Sequence, residues 1–353
     1  MGMPEIVINF KKAAETLLDR SARGVVALVL DDATEGGSPV QKFTTLKQAE
    51  KLLTADNAKL ASLVFEGGAS AVMVVRAVKT EQELDIDATL ELAAPYRWNW
   101  LVAPMANQAD AVAAWIKEQR AAGKTFKAVV AGATTSPNSE GVVDFATETV
   151  TVGAKTYQGY EYAAFIAGVL AGLSLERSAT YYVLPDVTEA EETADPDTAV
   201  DGGKLIAFFD GEKYKLARGV TTLTTPGADV SAAFKKIKNV EGADLIADDI
   251  RYSFENEYVG QVPNSYDNKQ VFVASVAEYL QDLQGTVLDP GYENTCELDP
   301  DATRAYLTGL GKDVSALGDE AVLSENTDSS VFLKMRIKML DAMEDLTLNV
   351  SVN

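Results

Sequence analysis

Four apolar runs of strand length punctuate the first 132 residues: VVALVL (25–30), ASAVMVVRAV (69–78), WNWLVAP (98–104) and FKAVVAG (126–132). The stretches between them read as helices. TTLKQAEKLLTADNAKLASLVFEGG (44–68) predicts two short helices, with Thr45 and Thr54 as N-caps and Gly67-Gly68 as the stop. NQADAVAAWIKEQRAAG (107–123) predicts another, with Asn107 as a candidate cap and Gly123 as terminator. Strands that alternate with helices have few solutions, and the commonest is a mostly parallel sheet covered by helices.

The pattern continues with a polar loop, ATTSPNSEG (133–141), then the strand runs VVDF and ETVTV. YEYAAFIAGVLAGLSL (160–175) predicts an apolar helix, and ATYYVL (179–184) a further strand. Residues 186–203 are acidic and poor in apolar side chains, which predicts an exposed loop. KLIAFF, Asp210-Gly211 and KYKLAR predict a hairpin, because Asp-Gly between strand-like runs favours a tight turn. The last third predicts a short helix around VSAAFKKIKNV with Asp229 as cap, and a long one from Asp267 to Gln284. A further helix follows, which Asp299 caps and Pro300 begins. VFLKMRIKML, a DAMED turn and LTLNVSV close the chain as two strands. The fold class is therefore mixed α/β and α+β: a central α/β sheet domain, a C-terminal α+β domain, and extended N- and C-terminal β-strand arms.

The arms follow from period-2 patterning at both termini. In DLTLNVSVN (345–353), Leu346, Leu348, Val350 and Val352 alternate with polar residues; in PEIVINF (4–10), Ile6, Ile8 and Phe10 do the same. A strand whose edge lacks a partner within its own chain invites one from another.

Charge and composition exclude several functions. The 31 basic and 53 acidic residues give a net charge of −22, which argues against nucleic acid and anionic membrane surfaces as partners. No histidine is present, which removes Ser-His-Asp and Cys-His catalysis and most zinc sites. The single cysteine, Cys296, cannot form an internal disulfide. No apolar stretch reaches membrane-span length, and no basic start precedes an apolar core as in a secretory signal.

Motifs for chemistry are equally sparse. Neither GxxxxGK[ST] nor GxGxxG occurs. DPDTAVDGG (195–203) resembles a calcium loop only superficially, because the twelfth position from Asp195 is Ile206 instead of Glu. Gly168 and Gly172 lie four apart on the apolar helix and are read as close packing of that helix against the sheet. The adjacent Asp248 and Asp249 point different ways on any regular element. No catalytic, cofactor-binding or metal-binding residue is predicted. One pattern stands out: in VFLKMRIKML, Lys334, Arg336 and Lys338 fall on one face of a strand, in a stretch from Asp267 with sixteen acidic and six basic residues. It reads either as a solvated face neutralised by neighbouring carboxylates or as a docking stripe for an acidic partner surface.

Several segments in order resemble the tail sheath proteins of contractile phage tails and of phage-tail-like, R-type bacteriocins. They are FKKAAETLLDRSARGVVALVL, YEYAAFIAGVLAGLSLERSATYYVLPDV, GGKLIAFFDGEKYKLARGVTTLTT, FKKIKNVEGADLIADDIRYSFENEYVGQVPNSYDNKQVF and VFLKMRIKMLDAMEDLTLNVSV. None is a catalytic signature; the specificity lies in their number and order. Many members insert a β-rich domain for which residues 79–96 leave no room, so the resemblance implies a minimal subunit. It also implies an N-terminal arm and linker at 1–20, a small α/β unit at 21–90 and a central α/β domain at 91–225. A C-terminal α+β domain facing the tube follows at 226–344, then a strand arm at 345–353. Such subunits form stacked hexameric rings around an inner tube and contract from a metastable extended state, driving the tube through a cell envelope without nucleotide hydrolysis. Arms add strands to neighbouring subunits, and the other partners are baseplate and tail-terminator proteins. Assembly is expected in the bacterial host cytoplasm, with the product in a virion tail or a released particle, without enzymatic activity, cofactor or membrane anchor. Two alternatives remain at this stage. One is a His-free α/β enzyme or ligand-binding protein using the crevice near Ala131–Pro137; the other is a sheath subunit of a bacterial contractile secretion system.

Overall fold

A computed structural model describes residues 24–352, apart from residues 35, 82 and 229. The described chain divides into two compact units, one of residues 24–244 with 342–352 and one of residues 245–341.

The larger unit is built on a seven-stranded sheet. Its order is Lys204–Leu205, Val142–Phe145, Lys127–Val130, Trp100–Val102, Val25–Leu30, Ala71–Arg76, Val40–Phe43. All neighbours are parallel except the last pair, where Val40–Phe43 runs antiparallel to Ala71–Arg76. Strands from both sides of residue 90 thus share one sheet. Alternate residues of Val25–Leu30 serve two cores. Val26, Leu28 and Leu30 join Val72, Val74 and Trp100 under the helices Ala55–Gly67 and Gly159–Gly172. Ala27 and Val29 join Met73, Val75 and Leu101 under the helices Ile86–Ala93 and Ala109–Ala121. A strand covered on both faces needs apolar residues at every position, which is why these strands read as runs and not alternations.

Gly168 and Gly172 pack against a second helix, where the sequence reading had them against the sheet. A Cβ on Gly168 would sit 2.2 Å from the Val64 carbonyl oxygen, and one on Gly172 2.4 Å from that of Gly68. Reciprocally, a Cβ on Gly67 would lie 2.5 Å from the Phe165 oxygen. The glycines let two helix backbones touch, while Ile166, Val169 and their neighbours contribute to the apolar core. Gly68 ends its helix in the left-handed region at φ 113°, as the Gly67-Gly68 stop predicts.

Three segments differ from their sequence reading. ATYYVL makes a single bridge, Val183 to Lys215, and Tyr181 at φ 57° interrupts the extended run. Residues 186–203 are not a featureless loop. Val187–Ala190 adds to the hairpin Thr149–Val152/Lys155–Gln158, and Asp195 caps a short helix, Pro196–Asp201. The short helix expected around VSAAFKKIKNV is a 3-10 turn, Ala232–Lys235, followed by a helix Ile237–Ser253 that Gly242 and its acidic residues obscure in sequence. The expected cap Asp229 lies outside the described residues. A buried ion network holds the start of this helix: Arg120 donates to both Asp244 oxygens at 3.0 and 3.1 Å, and Lys127 Nζ lies 2.9 Å from Asp244.

The smaller unit contains the helices Tyr266–Asp282 and Pro300–Gly309. Ser265 caps the first, two residues before the expected start, and Asp299 caps the second by accepting from the amides of Asp301 and Ala302, both at 2.9 Å. Leu333–Arg336 pairs antiparallel with Thr295–Leu298, so the predicted VFLKMRIKML strand is shorter than its pattern.

Candidate assembly surfaces

The C-terminal segment forms no ladder within the described chain: residues 342–352 carry no helix or strand. Its apolar side chains project into solvent, with Leu346 at 88%, Leu348 at 74%, Val350 at 70% and Val352 at 91% exposure. Among the described residues before 342, no large apolar side chain is more exposed than Tyr181, at 61%. The alternation predicts that these four residues share a face when the segment is extended.

The root of this segment is held. The Glu344 side chain is only 4% exposed, although its chain neighbours Met343 and Asp345 are exposed. Its Oε1 accepts from Thr180 Oγ1 at 2.6 Å and Ser178 Oγ at 2.8 Å, and Lys236 Nζ lies 2.9 Å from Oε2. Burial works to raise the Glu344 pKa, but the hydrogen bonds from Thr180, Lys236 and Ser178 outweigh it and hold the carboxyl below the usual glutamate range. Arg218 pairs with Asp345 beside it. Sequence reading missed this cluster because its members are far apart in the chain and none is unusual alone.

The basic stripe is partly neutralised. On the Thr295–Leu298/Leu333–Arg336 ladder, Cys296 opposes Met335 and Leu298 opposes Leu333 on one face, while Glu297 opposes Lys334 and Thr295 opposes Arg336 on the other. Lys334 Nζ lies 4.0 Å from Asp301 and Lys338 Nζ 2.9 Å from Asp289, beyond the end of the strand. Arg336 is exposed and has no ion pair among the described residues. Ile6, Ile8 and Phe10 lie outside the described residues.

Two carboxylates near Ala131–Pro137 have local partners. Asp110 accepts from the Thr134 amide at 3.1 Å, and the buried Asp144 pairs with Lys204. Among the described residues no cluster of three or more Cys, Asp or Glu is placed to hold a metal, and no helix is long and apolar enough to cross a membrane.

Across its whole length the chain matches the tail sheath protein of Clostridium phage phiCD119, at 31% identity over 362 residues and 99% of each chain. The chain belongs to the phage tail sheath protein family. Residues 229–353 also match the family model of the phage tail sheath C-terminal domain. Solved sheath structures share the fold. The sheath tail protein Lin1278 of Listeria innocua superposes with a TM-score of 0.70 at 17% identity, covering 85% of this chain and 94% of its own. The helical sheath of the anti-feeding prophage in its contracted state gives 0.70 at 13% identity, with 94% and 93% covered. The contracted sheath of an extracellular contractile injection system, PVC, gives 0.65 at 12%, with 94% and 92% covered. This sheath chain is thus a phage tail or tail-like particle component, and its relatives are structural proteins.

Proposed function

We propose that this sheath chain polymerises as stacked hexameric rings around an inner tube, linked by strand arms. It contracts from a metastable extended state to drive the tube through a target envelope. The observation that carries the reading is the unpaired segment 346–352, which presents four large apolar side chains to solvent. A strand with no ladder and one apolar face is suited to adding to a sheet of another copy, where main-chain hydrogen bonds supply affinity and pockets for alternate side chains supply specificity. We assign the alternation at Ile6, Ile8 and Phe10 the same role at the other end of the chain. Two arms per subunit link each copy to several neighbours, so contacts persist while subunit bodies rotate. Contraction is then a shift between two packings of unequal energy and requires no catalytic site.

Residues 226–344 face the tube, with Lys334, Arg336 and Lys338 as the docking stripe, of which Arg336 is the cation left without a local carboxylate. Baseplate and terminator proteins bound the polymer, which assembles in the host cytoplasm. The contracted sheaths among the solved neighbours support this reading. Deletion of 346–353 tests it: the protein stays folded by circular dichroism, and electron microscopy of concentrated protein shows no long polymers. Normal tubes from the truncated chain would refute the arm.

A further inference from the structure

We infer that Ser178, Thr180 and Lys236 form a socket for Glu344, which seats the root of the C-terminal arm and sets the direction in which its strand-forming residues leave the body. The inference rests on the assembly reading above and adds a positioning site to it.

The geometry is that of a fitted site. Glu344 is the one side chain of the segment 343–352 with almost no solvent exposure, at 4%. Its partners come from two separate places: the 178–180 loop, and Lys236 immediately before the helix Ile237–Ser253. The two hydroxyls sit in a local hydrogen-bond network of their own. The Gly219 amide donates to Thr180 Oγ1 at 2.9 Å, which occupies a lone pair and leaves the hydroxyl proton for Glu344. The Thr180 amide donates to Ser178 Oγ at 3.1 Å, and the Ser178 hydroxyl in turn lies 2.8 Å from Glu344 Oε1 and 3.0 Å from Thr180 Oγ1. Two oriented donors and an ammonium converge on one carboxylate, the arrangement that makes a buried charge tolerable. Arg218 then takes Asp345, so the chain is fixed on two consecutive residues, and Leu346 begins the exposed run.

A tether could act through length or through direction, and the two are separable in size. Unseating Glu344 lengthens the free segment at most from 346–352 to 341–352. Effective concentration falls roughly as the −3/2 power of length, so length alone accounts for about a twofold loss. A socket that aims the arm gives a larger loss, because an unaimed strand must search orientations as well.

The test uses the full chain with a nitroxide on Leu346→Cys; Cys296 is buried and stays unlabelled. In the monomer, the label is restricted with Glu344 present and measurably more mobile in Glu344→Ala, where only the Arg218–Asp345 pair remains, while the unfolding midpoint of the body moves little. The critical concentration for polymerisation rises well beyond twofold. Glu344→Gln, which keeps an acceptor for both hydroxyls but loses the ion pair, falls between. The exchanged pair Lys236→Glu/Glu344→Lys recovers label restriction relative to Glu344→Lys alone. Unchanged mobility in Glu344→Ala would overturn the socket, and so would a rise of no more than twofold in critical concentration. Failure of the arm reading itself is recognised separately, by normal polymers from the 346–353 deletion.

Discussion

Leu348→Ala tests whether the exposed alternation is an assembly face. The substitution removes three carbons, worth about 2.4 kcal/mol at about 0.8 kcal/mol per buried methylene. Leu348 is 74% exposed in the free chain, so about 1.8 kcal/mol of that remains to be gained when a neighbour covers it. At 1.4 kcal/mol per tenfold, the association constant for adding a subunit falls about 20-fold, and the critical concentration rises by the same factor. Asn349→Ala is the control. It lies on the other face of an extended segment, and exposed substitutions of this kind stay within about 0.5 kcal/mol, or about twofold. The assay is sedimentation of polymer over a concentration series, with polymer length checked by electron microscopy. The unfolding midpoint of the monomer stays the same for both variants, because neither side chain packs on the body. Equal shifts for Leu348→Ala and Asn349→Ala would refute the reasoning, since a strand has faces and an unstructured tether does not.

Gly168→Ala places a Cβ 2.2 Å from the Val64 oxygen in a contact between two helix backbones. Overpacking of about 1–3 kcal/mol, offset by a gain of about 1 kcal/mol from better helix propensity, leaves a loss of up to about 2 kcal/mol by denaturant titration. Gly309→Ala, with open space at its Cβ, gains stability or leaves it unchanged. Burial pushes the Cys296 thiol up to about 11, assisted by the charge of Glu297, so a thiol reagent at neutral pH labels it only as fast as the unit opens; rapid labelling of native protein contradicts that placement. Reversal of Lys334, Arg336 and Lys338 to Glu weakens tube-templated assembly more than sheath–sheath association, and that templated step weakens as salt rises. Templated assembly indifferent to both changes makes the stripe ordinary surface.

The large elements were legible because their patterns are local. VVALVL and AVMVV are continuous apolar runs, and that continuity carries the information that both sheet faces are covered. Asp299-Pro300 marks its helix start by chemistry confined to a few residues, and the structure places the cap there. Val40–Phe43 was missed since a four-residue edge strand, VQKF, whose one buried residue is Phe43, carries almost no alternation. The helix Ile237–Ser253 was missed past Val240 because its hold on the rest of the unit comes from Arg120 and Lys127 binding Asp244, more than a hundred residues away. The Glu344 cluster was invisible for the same reason. Long-range polar pairing leaves no periodic trace.

The two alternating segments near the C-terminus show what a period-2 pattern can and cannot say. VFLKMRIKML and LTLNVSV have the same apolar repeat, yet only residues 333–336 of the first form a ladder, and none of the second does. Alternation specifies that a strand has an apolar face; it does not name the strand beside it. Leu333 and Met335 lie opposite Leu298 and Cys296, so their face is supplied locally. Leu346, Leu348, Val350 and Val352 have no such supply, and the polar residues between them add nothing that would hold the segment on the body. What fixes it is Glu344 and Asp345, charged residues placed just before the apolar repeat begins. A free monomer that exposes such a face risks indiscriminate pairing, and a net charge of −22 opposes close approach of copies. On the arm reading proposed above, ordered assembly requires several simultaneous contacts to overcome that repulsion, which a single stray collision does not supply.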